Sequence, residues 1–245
     1  MTRILRLAAL FAAVCLPLIP VHAAEFTPAQ RAEIVQILRD ALKQDPSILR
    51  DAVGALQADE GDRQQAASRA AIAAVRDTLI DPADPVAGNP TGDVTIVEFF
   101  DTRCPYCRKL EPAMDELLAG DHGVRLVYKD LPILGPASVL GSKALLAAQQ
   151  QGGYEKLRAA IMAAPPDTSK PIIQAATQQL GLDWKRLEHD MDDPAIAARI
   201  QANLKLAHAI GIEGTPALVI GGEMIPGAVD LAQLQKSVAT VRGAK

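Results

Sequence analysis

Residues 94–110 read VTIVEFFDTRCPYCRKL, and the pattern changes period in the middle of that stretch. Val94 to Phe100 is β-branched and aromatic, the composition of a buried strand. After Asp101 the pattern turns helical, and a helix is expected from about Cys104 to Leu118, closed by Gly120. The two cysteines therefore fall where a strand hands over to a helix. Cys104 occupies the helix N-terminus, where unpaired N–H groups and the macrodipole favour an anion. Such a position lowers a thiol pKa from about 8.5 to about 3.5–7 in comparable C-x-x-C motifs. Arg103, Arg108 and Lys109 add positive charge nearby, read as exposed groups screened by salt. The three-residue spacing brings Cys107 onto the same face, within reach of a disulfide. Cys104 is expected to attack and Cys107 to resolve the mixed disulfide. Glu98 lies six residues before Cys104 on the strand. Buried behind the motif it could relay a proton to or from Cys107; a partly exposed strand carboxylate is the alternative. Phe99 and Phe100 are read as core and rim residues.

Outward from this stretch, Val124 to Lys129 reads as a second strand. Ala137 to about His208 is mostly helical, with caps at Asp183 and Asp193-Pro194 and stops at Gly152-Gly153 and Gly181. Ala217–Ile220 and Glu223–Ile225 form a hairpin around Gly221-Gly222, and Asp230 opens a last helix toward Val241. Strand, helix, strand, helical insert, hairpin and helix make an α/β sheet with helices on its faces. Gly214-Thr215-Pro216 stands just before the hairpin. A proline at the first residue of a strand lacks the ladder donor. A cis bond there would free the Thr215 backbone to pair with an extended chain, although spacing alone does not establish one.

The front of the chain reads as helical. Thr27-Pro28-Ala29-Gln30 is a capping box with proline at N1. Ile34, Ile37, Leu38, Ala41 and Leu42 follow at helical spacing; Asp45-Pro46 restarts a helix whose face carries Ile48, Leu49, Ala52, Val53 and Leu56. Gly61 is read as an interruption, with a third helix over Ala67–Leu79. Narrow apolar seams recurring over this length need partners, so an oligomerisation segment is favoured over a docked extension. Asp81–Pro85 and Asn89–Asp93 are rich in breakers, and each reads as a linker or turn.

At the N-terminus, Arg3 and Arg6 precede a run from Leu7 to Ala24 without Asp, Glu, Lys or Arg, ending in Val21-His22-Ala23-Ala24. This reads as a secretory signal peptide cut after Ala23, with Ala24 as second choice; an uncleaved anchor is the alternative. Val14 before Cys15 argues against a lipoprotein site. Cleavage removes Arg3, Arg6 and Cys15 and takes the net charge from −4 to −6, leaving one cysteine pair. An exported chain meets an oxidising compartment, but two cysteines three residues apart do not staple a fold. At 245 residues the chain buries a core without staples. A hydrophobic share of 49% with 22% charged residues excludes wholesale disorder and a polytopic membrane protein. The acidic balance and 3% aromatics argue against nucleic-acid partners. A single C-x-x-C is short of a zinc site, Arg108 stands where haem attachment needs histidine, and His122, His189 and His208 lack ligand spacing. No cofactor is expected. Reduced Cys104 and Cys107 could bind copper(I), a reading of a different class, and a purely structural disulfide is the plainest alternative.

Glu98-Phe99-Phe100, Cys104-Pro105-Tyr106-Cys107 and Gly214-Thr215-Pro216-Ala217 together resemble the thioredoxin-fold thiol:disulfide oxidoreductases of the DsbA-like class. Asp84-Pro85-Val86-Ala87-Gly88 fits the same class. Lys129-Asp130-Leu131-Pro132-Ile133-Leu134-Gly135 and the helical front are similar to the ScsC, or suppressor of copper sensitivity, subfamily. The likeness covers residues 26 to 243. After the leader read over 1–23, it implies a helical segment over 24–80, and a thioredoxin-fold domain over 81–245 with an insert at about 136–210. It implies a cis Pro216, a Cys104–Cys107 disulfide in the oxidised form, and a substrate groove touching Pro105, Tyr106, Thr215 and Pro216. It implies periplasmic action on cysteine-containing exported proteins. Homo-oligomeric relatives act as isomerases kept reduced by a membrane reductase; monomeric oxidases have a quinone-linked partner. The first pattern, assembled through residues 26–80, is favoured.

Overall fold

The computed structural model describes residues 26–165 and 169–244. The leader expected over residues 1–23, with Cys15, lies outside the described residues. The elements run α1 (Pro28–Gln44), α2 (Ser47–Ala74), α3 (Arg76–Leu79), β1 (Val86–Gly88), β2 (Val94–Phe100), α4 (Pro105–Gly120), β3 (Val124–Asp130) and α5 (Pro136–Gln149). They continue α6 (Tyr154–Ala163), α7 (Lys170–Gln179), α8 (Trp184–Asp190), α9 (Pro194–Ala209), β4 (Ala217–Ile220), β5 (Glu223–Pro226) and α10 (Leu231–Gly243). The strands form one mixed sheet in the order β1-β3-β2-β4-β5. β2 and β3 are parallel, and the other neighbouring pairs are antiparallel. This is the thioredoxin-like architecture, with α5 to α9 inserted between β3 and β4.

The local signals explain where the elements begin. Gln30 N–H donates to Thr27 Oγ1 at 3.3 Å while Thr27 N–H donates to Gln30 Oε1 at 2.9 Å, closing the capping box of α1. Asp183, Asp193 and Asp230 accept from Arg186, Ala195 and Gln233 amides and start α8, α9 and α10. Gly221 and Gly222 carry φ of 60° and 88°, the left-handed pair that a two-residue hairpin turn demands.

One reading of the front half is corrected. Gly61 does not interrupt: α2 runs through it to Ala74, and α3 adds one more turn. A glycine inside a helix costs only about 1 kcal/mol. Good helix formers flank it, and an Asp59–Arg63 pair at 2.8 Å, one turn apart, spans it. Asp81–Pro85 is a turn, one of its two readings: the Asp84 amide donates to the Asp81 carbonyl at 2.9 Å. Asp84 is buried, held by Lys129 Nζ at 2.7 Å and Arg199 Nη2 at 2.8 Å. It leads into the edge strand β1, too short to show a period.

The chain divides into two compact units, Met1–Gln57 and Ala58–Lys245. In the first, no residue of α1 is buried, and Ile37, Leu38, Leu49 and Leu56 all stand exposed. In the second, the two-residue period of the strands sorts the core. Val94, Ile96 and Phe100 of β2 face one way, joined by Leu126, Leu218 and Ile220, with Cys107, Leu110, Met114 and Leu117 of α4 packed on them. Val97 and Phe99 face the other way, with Val127, Ala217 and Val219, covered by Ile72 of α2 and Ala207 of α9. Each such large side chain contributes about 1.5–3 kcal/mol on burial. Phe100 lies wholly in the core, not at its rim. Glu98 shares the face of Ile96 and Phe100, so the alternation alone sends its carboxylate beneath α4.

Candidate functional site

α4 begins where the sequence places it. Cys104 is the N-cap residue, in extended backbone, and Pro105 takes the first helical position. The Cys104 amide donates to the Asp101 carbonyl at 3.0 Å, closing the turn that leaves β2. Cys104 and Cys107 are unbridged, and both are buried; Cys104 is 4% exposed. The Thr215–Pro216 peptide bond is cis. The Thr215 carbonyl lies 3.1 Å from Cys104 Sγ and accepts its proton as a hydrogen bond while the thiol is neutral. Pro105 and Tyr106 are exposed on the outer side of the turn, Tyr106 to 61%.

The two thiols are electrostatically unlike. The hydrogen bond from the Cys107 side chain pulls the Cys104 pKa down to about 5, helped by the Thr215 side chain and the Cys107 and Tyr106 amides, against burial. The bond to Cys104 pushes the Cys107 thiol well above the ordinary range, with burial and the charges of Glu98 and Cys104 acting the same way. One cysteine is ready to attack; the other holds its proton until something takes it. The thiolate ultraviolet absorbance of the reduced protein should therefore rise with a midpoint near pH 5 and vanish in Cys104→Ser. A midpoint near the free-cysteine value of about 8.5 would make Cys104 an ordinary thiol.

Behind the pair, Glu98 is fully buried. Its Oε2 is 3.5 Å from Arg158 Nη2, and its Oε1 has no hydrogen-bond partner among the described residues. Burial pushes the carboxyl up to about 7; Arg158 draws it down, while Glu111, Asp115 and Cys104 push it further up. That places its titration close to neutrality, where a proton acceptor for Cys107 is useful.

Two further residues that shape the site escaped the sequence reading, and a third was read as exposed. Arg158 of α6 is buried, bonded to both carboxylate oxygens of Glu111, with its guanidinium 4.8 Å from the Phe100 ring centre and 4.1 Å from that of Tyr128. Its signal was present: it lies on the same face of α6 as Tyr154, Leu157, Ile161 and Met162, a charge in an apolar stripe. Asp101, also buried, accepts from the Arg103 amide at 2.8 Å and from the Ile133 and Leu134 amides at 2.9 and 3.0 Å. Arg108 is not the exposed charge expected. It is part-buried, donating to the carbonyls of Thr102, Met162 and Ala164, and so ties the start of α4 to the end of α6.

Cys104, Cys107, Thr215 and Pro216 thus meet at one point, with Glu98 beneath. His122, His189 and His208 are exposed. Among the described residues no three His, Cys, Asp or Glu side chains are placed to hold a metal ion.

The profile of the DSBA-like thioredoxin domain matches residues 95–239, and that of the copper resistance protein ScsC N-terminal domain matches residues 30–67. A thioredoxin-like oxidoreductase from Silicibacter pomeroyi DSS-3 is 41% identical with a TM-score of 0.66, over 68% of this chain and 96% of that one. Proteus mirabilis ScsC in a transitional conformation is 30% identical with a TM-score of 0.66, over 90% of this chain and 98% of that one. A Na(+)/H(+) antiporter NhaA 3 from Salinispora tropica is 30% identical over 166 residues, 65% of this chain and 26% of that protein. The chain thus spans about a quarter of the antiporter's length. Among the described residues no helix is long and apolar enough to cross a membrane.

Proposed function

The chain belongs to the DsbA-like thioredoxin-domain family of thiol:disulfide oxidoreductases, and from that premise we propose that it acts in the periplasm as a protein disulfide isomerase or reductase. The observation that carries the reading is the contrast between the two thiols. The Cys104 thiolate opens a client disulfide, forms a mixed disulfide and releases one client thiolate. In isomerisation that client thiolate, or another, attacks the mixed disulfide and restores Cys104. In reduction, Glu98 takes the Cys107 proton, Cys107 attacks Cys104 Sγ, the second client sulfur leaves as a thiolate that takes a proton from water, and a Cys104–Cys107 disulfide remains. A membrane reductase would return that pair to the dithiol. Thr215 and Pro216 line the approach to the nucleophile, with Pro105 and Tyr106 on its outer lip. The signal-like leader supports export to the periplasm.

Isomerisation, as against simple oxidation, is supported by the exposed seam of α1 and early α2. Ile37, Leu38, Leu49 and Leu56 present apolar surface that copies of the chain could bury together. Clustering several Cys104 thiolates raises their effective concentration on one misbridged client. The mature chain should scatter light as a multiple of its own mass, and a chain starting at Ala58 as a monomer. The shortened chain, which keeps Ile72 and Leu79 in the core, should lose about tenfold in refolding scrambled ribonuclease yet still reduce insulin. Two monomers would remove the oligomer, and equal refolding would leave the monomeric dithiol oxidase as the reading. The two unbridged thiols of Cys104 and Cys107, soft donors side by side, support copper(I) on the reduced pair as a second role. Equilibrium dialysis should then find binding that oxidation abolishes.

A further inference from the structure

The late turns of α2 stand beside the cis-proline loop, and between them runs a groove of about 560 Å³. Its helix side is Gly61, Gln64, Gln65 and Ser68; its loop side includes Ile212 and Thr215. We infer that this groove takes an extended, uncharged stretch of the client polypeptide next to the reacting cysteine, and that α2 is one wall of the substrate site. The inference rests on the oxidoreductase reading above and extends it to a part of the chain that the reaction does not use.

Four observations support it. Thr215 lines the groove, and its carbonyl is 3.1 Å from Cys104 Sγ, so one residue separates the groove from the nucleophile. The wall is fixed: Ile72 anchors α2 in the core, Arg69 pairs with Glu223 of β5, and Gln65 Nε2 donates to the same carboxylate at 3.0 Å. The wall also stands clear of the loop at Gly61, where an added Cβ would meet nothing within 4 Å. Finally, Ser68 lines the groove with its hydroxyl buried and no partner among the described residues. A buried hydroxyl without a partner is costly, and a passing main chain supplies both a donor and an acceptor. The helix side offers amides and a hydroxyl, while Arg69 neutralises Glu223. The helix side reads main chain through hydrogen bonds, and Glu213 on the loop side disfavours acidic side chains, so an uncharged stretch fits.

The test compares two disulfides on the mature full-length protein. One joins two copies of a neutral eight-residue peptide through a central cysteine; the other is bis(2-hydroxyethyl) disulfide, too small to need the groove. In each, the Cys104 thiolate opens the S–S bond and forms a mixed disulfide. The departing thiolate takes a proton from water. Gly61→Phe fills the groove while improving helix propensity. The double variant Gln64→Ala/Ser68→Ala removes the polar wall, including a hydroxyl that has no partner to lose. In both, the ratio of the peptide rate to the small-disulfide rate should fall by about fivefold or more. An unchanged ratio in both variants overturns the inference, as does an equal loss with the two substrates. An unmodified protein inert toward both disulfides would instead overturn the oxidoreductase reading, and this inference with it.

Discussion

Cys104→Ser should abolish disulfide exchange, lowering insulin reduction by about 10³-fold or more, to background. A serine hydroxyl is not ionised near neutrality and forms no S–S bond, so nothing else in the site replaces the thiolate. Cys107→Ser should behave differently. It leaves the nucleophile but removes the resolving thiol, so mixed disulfides with clients should accumulate and be visible by mass spectrometry. Its consequence for Cys104 depends on the residue chosen. The Cys107 hydrogen bond is the largest cause of the lowered Cys104 pKa. Serine can donate in its place; alanine cannot. Cys107→Ala should therefore raise the thiolate midpoint well above pH 5, and Cys107→Ser less so. Full exchange activity in Cys104→Ser would end the catalytic assignment.

Arg158→Met should cost the largest stability of any single change near the site, about 3–5 kcal/mol, because a buried carboxylate loses its cation. Methionine fills much of the volume, so the loss is electrostatic. Its pH dependence carries the evidence. Burial raises the Glu98 pKa in the folded protein from its ordinary value near 4.5 to about 7. A raised carboxyl favours the fold below the ordinary value, and that contribution drains away as pH rises toward the folded value. In the unaltered protein the decline levels off near pH 7. Without Arg158 the folded pKa climbs further, and stability continues to fall above pH 7 by as much as about 1.4 kcal/mol per pH unit. The facing groups on this count are Arg158 of α6, Glu111 and Asp115 of α4, and the two cysteines; Tyr128 and Leu218 are the strand neighbours. Urea unfolding at pH 5, 7 and 9 should show a gap between variant and parent that widens with pH. A gap of one size throughout would mean that Arg158 merely fills space. Client release in the same variant should need a higher pH, since a more basic Glu98 stays protonated and cannot take the Cys107 proton.

Much of this site could be read before any coordinates. The change of period around Asp101, the helix-capping aspartates and the two glycines of the hairpin are local effects, and local effects leave local marks. The pairings that tune the chemistry left fainter ones. Arg158 is sixty residues from Glu98 along the chain, and only its place in an apolar helix stripe hints at burial. Asp84 is legible as a turn residue but not as a buried one, because its cations, Lys129 and Arg199, lie far away in sequence. Gly61 misled for the opposite reason. A local breaker was weighed alone, although the neighbouring helix formers outvote it.

Asp101 has a consequence for how the site meets a partner. One carboxylate clamps the backbone on both sides of the opening, the Cys104 turn through Arg103 and the segment after β3 through Ile133 and Leu134. The side chains of Ile133 and Leu134 nonetheless face water. Fixing a residue's backbone costs about 1–2 kcal/mol of conformational entropy. Here that ordering happens during folding, so a molecule landing on this lip meets apolar groups already at rest. Apolar surface packed against Ile133 and Leu134 would therefore not have to meet that backbone cost again.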